Sequence, residues 1–194
     1  SARESVANLI GANSPSEVVF TSGGTESDNW AILGALKANP DKKHLITTSV
    51  EHEAVRKLCQ DLENNGYRVT WLQVDQSGAF DPEELRSNLS KDTAVVSIMT
   101  ANNETGVLFN VAEAARIVKE NSQALFHTDA VNAAGKVPIN VGGSQIDLLS
   151  ISAHKFHGPK GIGALYVKSG SALSPLLYGG GQENGRRPGT EAVH

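Results

Sequence analysis

Three side chains that can bind or react (a hydroxyl, an imidazole and an amine) follow one apolar run of the sequence, as Ser152, His154 and Lys155. A lysine beside a buried strand is unfavourable unless it has a partner or a function. Its amine can form a Schiff base when burial or neighbouring cations lower its pKa, and the serine and histidine can donate to a phosphate. The alternative is a surface loop with a solvated lysine and incidental polar neighbours, and this segment alone leaves both interpretations open.

A second candidate site lies at residues 22–26, where Ser-Gly-Gly-Thr-Glu separates a predicted strand from a predicted helix. Gly24 and Thr25 can present unpaired N–H groups and the positive end of the helix dipole to an anion. The segment is not a nucleoside-triphosphate loop, because the Gly-Lys-Ser/Thr ending is missing. A phosphate-binding turn and a simple capped turn are equally compatible with it.

Three further polar residues have the chemistry to contact a flat, charged ring. Asp129 ends an apolar run, so its carboxylate needs a cation, and the protonated nitrogen of pyridoxal phosphate (PLP) is such a cation. His52 could stack on the ring and transfer protons, and Asn103 could donate to a ring oxygen. The alternatives are that Asp129 caps a helix from Ala130, that His52 leads a helix, and that Asn103 belongs to a turn.

Other catalytic sites fit the sequence less well. A deaminase-type zinc site needs Pro-Cys-x-x-Cys, whereas this chain has one cysteine, Cys59. That cysteine lies at helical spacing with apolar residues, which predicts a packed thiol and not a nucleophile. A hydrolase triad can be assembled from Ser152, His154 and Asp129, but the Gly-x-Ser-x-Gly elbow is missing and adjacent side chains on a strand end diverge.

Composition limits the class of protein. The chain has 194 residues, 39% of them hydrophobic and 20% charged, which suits one α/β domain with a buried core. A net charge of -4 argues against nucleic acid as a partner. No apolar run approaches the roughly 20 residues of a membrane helix, and no signal peptide pattern is present. One cysteine excludes an internal disulfide and favours a reducing compartment, from which we expect a cytoplasmic protein.

The candidate residues fall between elements that alternate along the chain. Short β-branched runs predict strands at residues 17–21, 44–48, 68–73, 94–99, 125–129, 146–151 and 164–167. Amphipathic stretches predict helices at residues 2–10, 25–38, 53–64, 82–89 and 111–120. This alternation predicts an α/β fold of three layers, with a mostly parallel central sheet and helices on both faces. The polar clusters follow strands and should converge at the carboxyl edge, whereas the Gly- and Pro-rich chain from Gly170 should leave the sheet.

Together these residues resemble the cysteine desulfurases, the NifS/IscS-like branch of the PLP-dependent aminotransferase superfamily (class V, fold type I). The matching motifs occur in the family's order at residues 21–29, 51–54, 102–106, 127–130, 152–155 and 186–190. The resemblance extends over essentially the whole chain. It implies that residues 1–194 are the PLP-binding large domain, and we expect a fragment lacking the N-terminal segment and the C-terminal small domain.

The resemblance implies a role for each matching residue. Lys155 would hold PLP as a Schiff base, Asp129 would keep its ring nitrogen protonated, and His52 would stack on the ring and take part in proton transfer. Asn103 would bond the ring oxygen. The family usually has Gln where this chain has Asn132, which is one methylene shorter, so a second bond to that oxygen would be lost or mediated by water.

The phosphate of PLP would be bound by residues from two loops. By resemblance these are Gly24, Thr25, Ser152 and His154. Thr190 resembles a residue that reaches the phosphate of the neighbouring subunit, so the resemblance also implies a homodimer.

The implied reaction converts L-cysteine to L-alanine and passes sulfur to an enzyme persulfide, then to an acceptor such as an iron–sulfur scaffold protein. The family's catalytic cysteine and substrate-carboxylate arginine lie beyond the end of this chain, and Cys59 does not match that cysteine. We therefore expect this chain alone not to complete sulfur transfer. The alternatives are a related PLP enzyme (a selenocysteine lyase or a small-amino-acid aminotransferase) and a non-catalytic folding or dimerisation unit.

Overall fold

The computed structural model describes residues 1–191, and within them seven strands and five α-helices. The strands are β1 (Val18–Thr21), β2 (His44–Thr48), β3 (Arg68–Leu72), β4 (Thr93–Ser97), β5 (Leu125–Asp129), β6 (Leu148–Ser152) and β7 (Gly163–Val167). The helices are α1 (Ala2–Ile10), α2 (Gly24–Ala38), α3 (Glu53–Asn64), α4 (Pro82–Asn88) and α5 (Val111–Asn121). All the predicted strands and helices are present, with bounds that differ by at most two residues from the prediction.

The strands form one sheet in the order β1-β7-β6-β5-β4-β2-β3. Strands β2 to β6 pair in parallel, whereas β7 is antiparallel to both of its neighbours. The reversal follows from the short connection at residues 153–162, because a parallel return requires a crossover of a dozen or more residues, usually with a helix. The prediction of a mostly parallel sheet is confirmed. The carboxyl ends of β1, β2, β4, β5 and β6 therefore meet at one edge.

Helices cover both faces of this sheet, which confirms the three-layer prediction. One core cluster contains the apolar residues of α2 and α3, and the other contains those of α1, α4 and α5. Strand β5 shows how the two clusters are separated, since Leu125 packs on the side of α2 and Phe126 on the side of α5. Consecutive side chains of a strand point to opposite faces. Because both faces are apolar, β5 is buried along its whole length.

Helix α2 is held between the sheet and the chain that follows β7. The Trp30 indole Nε1 donates to the carbonyl oxygen of Ser174 at 2.9 Å, and the Ser174 N–H donates to the carbonyl oxygen of Gly34 at 3.1 Å. A Cβ atom at Gly34 would lie 2.7 Å from that Ser174 oxygen, so this approach requires a glycine. The chain beyond β7 adds no strand within residues 1–191, as predicted. It fixes the position of α2, whose N-terminus lies at the carboxyl edge of the sheet.

The five described helices include none with both the length and the apolar character that a membrane span requires.

Candidate active site

Most of the residues selected from the sequence line one cavity of about 140 Å³ at the carboxyl edge of the sheet. Its lining consists of Gly24, Thr25, Asp28, His52, Asp129, Val131, Asn132, Ser152, His154 and Lys155. Four separate segments of the chain contribute to this cavity, after β1, β2, β5 and β6. Of the predicted site residues, the structure leaves Asn103 and Thr190 outside it.

One end of this cavity opens into a second space of about 360 Å³ at the start of α2. The two share Gly24, Thr25, Ser152 and His154. No side chain within residues 1–191 caps α2, so the first N–H groups of the helix lack an acceptor there. A Cβ atom at Gly24 would lie 2.7 Å from Val131 Cγ2, which makes glycine necessary at this point. The result is a set of backbone donors at the positive end of a 15-residue helix, which is suited to an anion.

Ser152 and His154 add side-chain groups to this anion site. The Ser152 hydroxyl and His154 Nδ1 are joined by a hydrogen bond of 3.0 Å. Ser152 is buried at the end of β6, whereas His154 and Lys155 are exposed on the short 3-10 helix Ala153–Phe156. Lys155 thus lies exposed at the rim of the cavity, beside the buried strand that precedes it.

Asp129 occupies the opposite, buried end of the cavity. Its side chain is 3% exposed, and its Oδ1 accepts a hydrogen bond from the Val131 N–H at 2.8 Å. No group within residues 1–191 donates to the second oxygen, Oδ2. Burial raises the pKa of Asp129, and the Val131 N–H, His52 and Lys155 partly offset that effect. The sequence left helix capping and cation binding open as alternatives for Asp129. In the structure Oδ1 accepts from a turn, where the sequence suggested a helix, and Oδ2 is left available for a cation.

His52 leads a helix, as one of its two interpretations predicted, and its contact with a ring stays a prediction. It is the N-cap of α3, where its Nδ1 accepts a hydrogen bond from the Ala54 N–H at 3.1 Å, and it also lines the cavity. An accepting Nδ1 is unprotonated, so the proton of the neutral ring is carried by Nε2. The capping bond therefore fixes both the ring orientation and the nitrogen that can donate a proton.

Sequence reasoning missed Asp28, which lines the same cavity. It lies on α2 with 1% exposure, and its Oδ1 has no hydrogen-bond partner within residues 1–191. Burial raises the pKa of Asp28 well above its ordinary value, and the carboxyls of Asp129 and Glu51 raise it further. Helical spacing could have found it, because Gly24 and Asp28 are four residues apart and so lie on one face of the helix.

Glu51 is a second buried acid that the sequence did not single out. Its Oε1 accepts hydrogen bonds from the Thr48 hydroxyl at 2.7 Å and from the Met99 N–H at 3.1 Å, while Oε2 has no partner in the described chain. Burial raises the pKa of Glu51 to about 8. Together, Asp28, Glu51 and Asp129 are called the acid cluster below. Among residues 1–191, no lysine or arginine forms an ion pair with any of them.

His127 lies beside the acid cluster without supplying a charge. Its Nδ1 is 2.8 Å from the Ser97 hydroxyl and its Nε2 is 2.9 Å from the Ser150 hydroxyl. The same Nε2 is 3.6 Å from Asp28 Oδ1. Burial lowers the pKa of His127 to about 3, so the ring is neutral at physiological pH. Within residues 1–191 the acid cluster therefore forms no ion pair with a lysine, an arginine or a charged His127.

Asn103 and Thr190 lie elsewhere. Asn103 is exposed in the turn after β4, and its neighbour Asn102 holds that turn, with its amide donating to the Val50 oxygen at 3.1 Å. Thr190 lines a separate cavity of about 570 Å³, together with Arg187. Asn132 is half-buried and lines the first cavity. The roles that resemblance implied for Asn103, Asn132 and Thr190 remain predictions.

Cys59 is packed in α3, as predicted. It is fully buried, and burial raises the pKa of its thiol to about 12. A buried thiol with so high a pKa is not a nucleophile at neutral pH.

The chain resembles known proteins over nearly its whole length. Residues 1–188 match the family model for class-V aminotransferases. The cysteine desulfurase of Nostoc sp. is 57% identical over 99% of this chain and 48% of its own length. The cysteine desulfurase NifS of Azotobacter vinelandii is 55% identical over 98% of this chain and 47% of its own length. A solved NifS-like protein superposes with a TM-score of 0.95 at 44% identity, covering 99% of this chain and 53% of its own. A structure of SspA in complex with cysteine superposes with a TM-score of 0.92 at 44% identity, covering 98% of this chain and 55% of its own.

The chain spans about half the length of the curated relatives that it matches. The matched family model covers residues 1–188 and thus includes every strand and α-helix and every residue that lines the 140 Å³ cavity. The fold agrees with this, since the seven-stranded mixed sheet superposes on NifS-like structures along almost the entire chain. This chain is a member of the aminotransferase class-V family, with the α/β fold of the PLP-dependent transferases.

Proposed function

We propose that this chain is the PLP-binding large domain of a cysteine desulfurase. The observation that supports it best is the distribution of unpaired groups in one cavity: backbone donors at the start of α2, an unpaired carboxylate oxygen of Asp129 at the other end, and Lys155 at the rim. The family is PLP-dependent, and the curated relatives at 57% and 55% identity are cysteine desulfurases.

The residues of the cavity fit PLP at both ends. The unpaired N–H groups of Gly24 and Thr25, with Ser152 and His154, suit a phosphate. At the buried end, Asp129 Oδ2 needs a cation, and a protonated ring nitrogen would supply one. Lys155 would hold the cofactor covalently. PLP, when bound, supplies an electron sink for carbanion chemistry at an amino acid.

The chain's own residues would bind, orient and transfer protons around this ligand. Asp129 would keep its charge once a cation balances the effect of burial on its pKa. His52 would present the Nε2 proton to the cavity from a ring fixed by its capping bond. The Lys155 amine, exposed at the rim, would accept or donate a proton where the substrate enters.

L-cysteine is the substrate that we propose, with L-alanine as the product and a thiolate as the acceptor of sulfur. In the transfer, the C–S bond of cysteine breaks, a sulfur–sulfur bond forms at the thiolate, and a proton replaces sulfur on the carbon. Cys59 is the one cysteine of the sequence, and its burial disqualifies it as that thiolate. We infer that a thiol outside residues 1–194 accepts the sulfur, and that a homodimer and an iron–sulfur scaffold or related acceptor complete the system in the cytoplasm.

The test of cofactor binding uses the purified chain with added PLP. We expect a visible absorbance band, and borohydride reduction should leave a stable adduct that peptide mass spectrometry assigns to Lys155. Lys155→Ala should lose both signals. The matched control Lys91→Ala, at an exposed lysine that does not line the cavity, should retain them. An adduct at a different lysine, or no band in the wild-type chain, would contradict the proposal.

The substrate is tested separately with L-cysteine and a thiol reductant. The PLP-loaded chain should bind L-cysteine, which should change the absorbance band. It should not release sulfide or form alanine catalytically. Sustained alanine production by this chain would contradict the inference, because it would mean that no acceptor thiol of the protein outside residues 1–194 is needed. A spectral response to other small amino acids, with none to cysteine, would instead favour an aminotransferase.

A further inference from the structure

The space at the start of α2 contains an acidic side chain, which is unexpected at a site for an anion. Glu26 lines the 360 Å³ cavity together with Lys160 and His154, and it is the acidic member of that lining. A carboxylate in the first turn of a helix is favoured by the dipole and can accept from the free N–H groups there. An unpaired Glu26 would therefore both repel a phosphate and compete with it for the same donors.

Arg187 prevents this by binding both oxygens of Glu26. The Arg187 Nε donates to Oε1 at 2.8 Å and Nη2 donates to Oε2 at 3.0 Å, while the Ser22 N–H donates to Oε2 at 2.9 Å. The two side chains are only 22% and 13% exposed. Burial opposes ionisation of Glu26, but Arg187 and Ser22 outweigh it and hold the pKa of this carboxyl below its usual range. The carboxylate is thus charged and already saturated with donors.

The ion pair lies between two cavities. Glu26 lines the anion cavity, whereas Arg187 lines the 570 Å³ cavity on the other side, and Ser22 and Gly161 line both. Arg187 is therefore a neighbour of the anion site without being part of its lining, and it reaches that site through Glu26.

We propose that Arg187 is a positioning residue for the phosphate of the ligand, because it neutralises Glu26 and keeps the N–H groups of α2 free for the anion. This inference rests on the proposed function, since PLP is the ligand that brings the phosphate. An ion pair that joins residues 161 positions apart also ties the chain after β7 to the start of α2. The group that neutralises Glu26 is thus supplied by that later segment.

A second ion pair provides a matched control. Arg3 binds Glu183 with two hydrogen bonds of 2.7 Å, and Glu183 also accepts from the Phe20 N–H at 2.9 Å. This pair anchors the same later segment, but Glu183 does not line the anion cavity. Removing Arg3 should loosen the segment without exposing a carboxylate to the phosphate.

The experiment measures the dissociation constant for inorganic phosphate, followed through the amide resonances of Gly24 and Thr25 in nuclear magnetic resonance titrations. Arg187→Ala should weaken binding about tenfold, the size of effect expected when a neighbouring charge is unmasked at a partly exposed site. Glu26→Gln should bind at least as tightly as the wild type. The double variant Arg187→Ala with Glu26→Gln should regain the affinity of Glu26→Gln within about twofold.

Two further variants separate charge from folding. Arg187→Lys keeps the charge and should retain most of the affinity, and Arg3→Ala should stay near the wild type. If the double variant binds as weakly as Arg187→Ala, then Arg187 acts on the anion or the segment directly and the inference is overturned. Because the adduct at Lys155 is measured independently, that outcome would leave the proposed function intact. A wild-type chain that binds neither phosphate nor PLP would overturn both.

Discussion

The two ends of the cavity differ in the hydrogen-bonding groups that they contain. The anion end consists of backbone N–H groups that lack acceptors within residues 1–191, together with glycines and the side chains of Ser152 and His154. At the other end, Asp28 and Asp129 line the cavity, and with Glu51 they form the acid cluster of buried carboxyls with unused oxygens, beside neutral hydroxyls and a neutral histidine. One end has excess donors and the other has excess acceptors. A ligand with an anion at one end and a cation at the other satisfies both, which is the charge pattern of PLP.

The two ends also differ in what they require of the fold. Free N–H groups at an exposed helix start are solvated by water, so the anion end is stable without a ligand. Carboxyls at 1% to 5% exposure are not solvated, so the acid cluster is unfavourable unless it retains protons or gains a cation. We therefore expect substitutions at the acid cluster to alter ligand affinity and pH dependence, and glycine substitutions at the anion end to act through geometry.

The largest effect should come from Asp129→Asn. The amide keeps the shape of the side chain but removes the charge that would face the ring nitrogen. A charged hydrogen bond contributes about 1.5–3 kcal/mol, so the affinity for PLP should fall by about tenfold to a hundredfold. Titration of the visible band measures this. Asp75→Asn, at an exposed turn far from the cavity, should bind PLP like the wild type, and an equal loss in both variants would remove the special role of the acid cluster.

Gly163→Ala tests whether the anion end depends on close backbone packing. A Cβ atom there would lie 2.6 Å from the Gly23 backbone and 2.8 Å from the Ile151 oxygen, and neither can rotate away. Overpacking of this kind lowers the free energy of unfolding by about 1–3 kcal/mol. The shift should also displace the turn before α2 and weaken phosphate binding. Gly181→Ala, where a Cβ meets nothing within 4 Å, is the control for urea denaturation; a smaller loss at Gly163 than at Gly181 would contradict the packing argument.

Glu51→Gln tests the acid cluster through pH. Burial raises the pKa of Glu51 to about 8, so the folded chain holds a proton that the unfolded chain releases. Stability should therefore fall as pH rises toward 8. Below about pH 6.5, the buried His44 and His127 act in the opposite direction, because burial lowers their pKa values to about 4 and about 3. The informative window is thus about pH 6.5 to 8.

Within that window, the free energy of unfolding of the wild type should decline more steeply than that of Glu51→Gln, by about 1.4 kcal/mol per pH unit. Asp28 shifts in the same direction, so a residual decline should remain in the variant. Urea denaturation at several pH values measures both slopes. Glu53→Gln is the control, because Glu53 is exposed and Arg56 and Lys57 lower its pKa. Any effect of its titration on the free energy of unfolding therefore lies at acid pH, outside this window. Parallel curves for Glu51→Gln and the wild type would contradict a protonated Glu51.

The smallest effect should come from Cys59→Ala, which belongs to neither end. Removing a fully buried sulfur from α3 leaves a small cavity and should lower the free energy of unfolding by about 1 kcal/mol. The PLP band and phosphate affinity should not change. A loss of the band in this variant would mean that α3 and the cavity are coupled through packing more strongly than the contacts suggest.

Local signals in the sequence were sufficient for the elements and for most of the cavity lining. The helix predicted from residue 82 begins there as α4, and the structure shows Asp81 capping it. Runs of β-branched residues predicted the strands equally well. The reversal of β7 was not predictable in the same way, because it depends on how far residues 153–162 can reach across the sheet.

The acid cluster could not be predicted from local pattern, since a carboxyl becomes buried only when distant segments close over it. Asp28 is buried by the packing of α2 on β5 and β6, and Glu51 by the loop after β4, through the Met99 N–H. Neighbouring turn residues were equally ambiguous: Asn102 holds its turn, while Asn103 is exposed. Where the sequence allowed two interpretations of His52 and Asp129, the structure accommodates both on different atoms.

The position of β1 in the sheet has a consequence for biosynthesis. It is an edge strand, and Val18 pairs with Tyr166 of β7, near the end of the sheet in chain order. Strands β2 to β5 can assemble while the later residues are still being made, but β1 has to wait for its partner. At roughly 5–20 residues per second, the ribosome leaves it unpaired for on the order of ten seconds. We therefore expect the turn that begins α2 to be among the last parts to be fixed, and binding of the proposed cofactor to follow the assembly of the sheet.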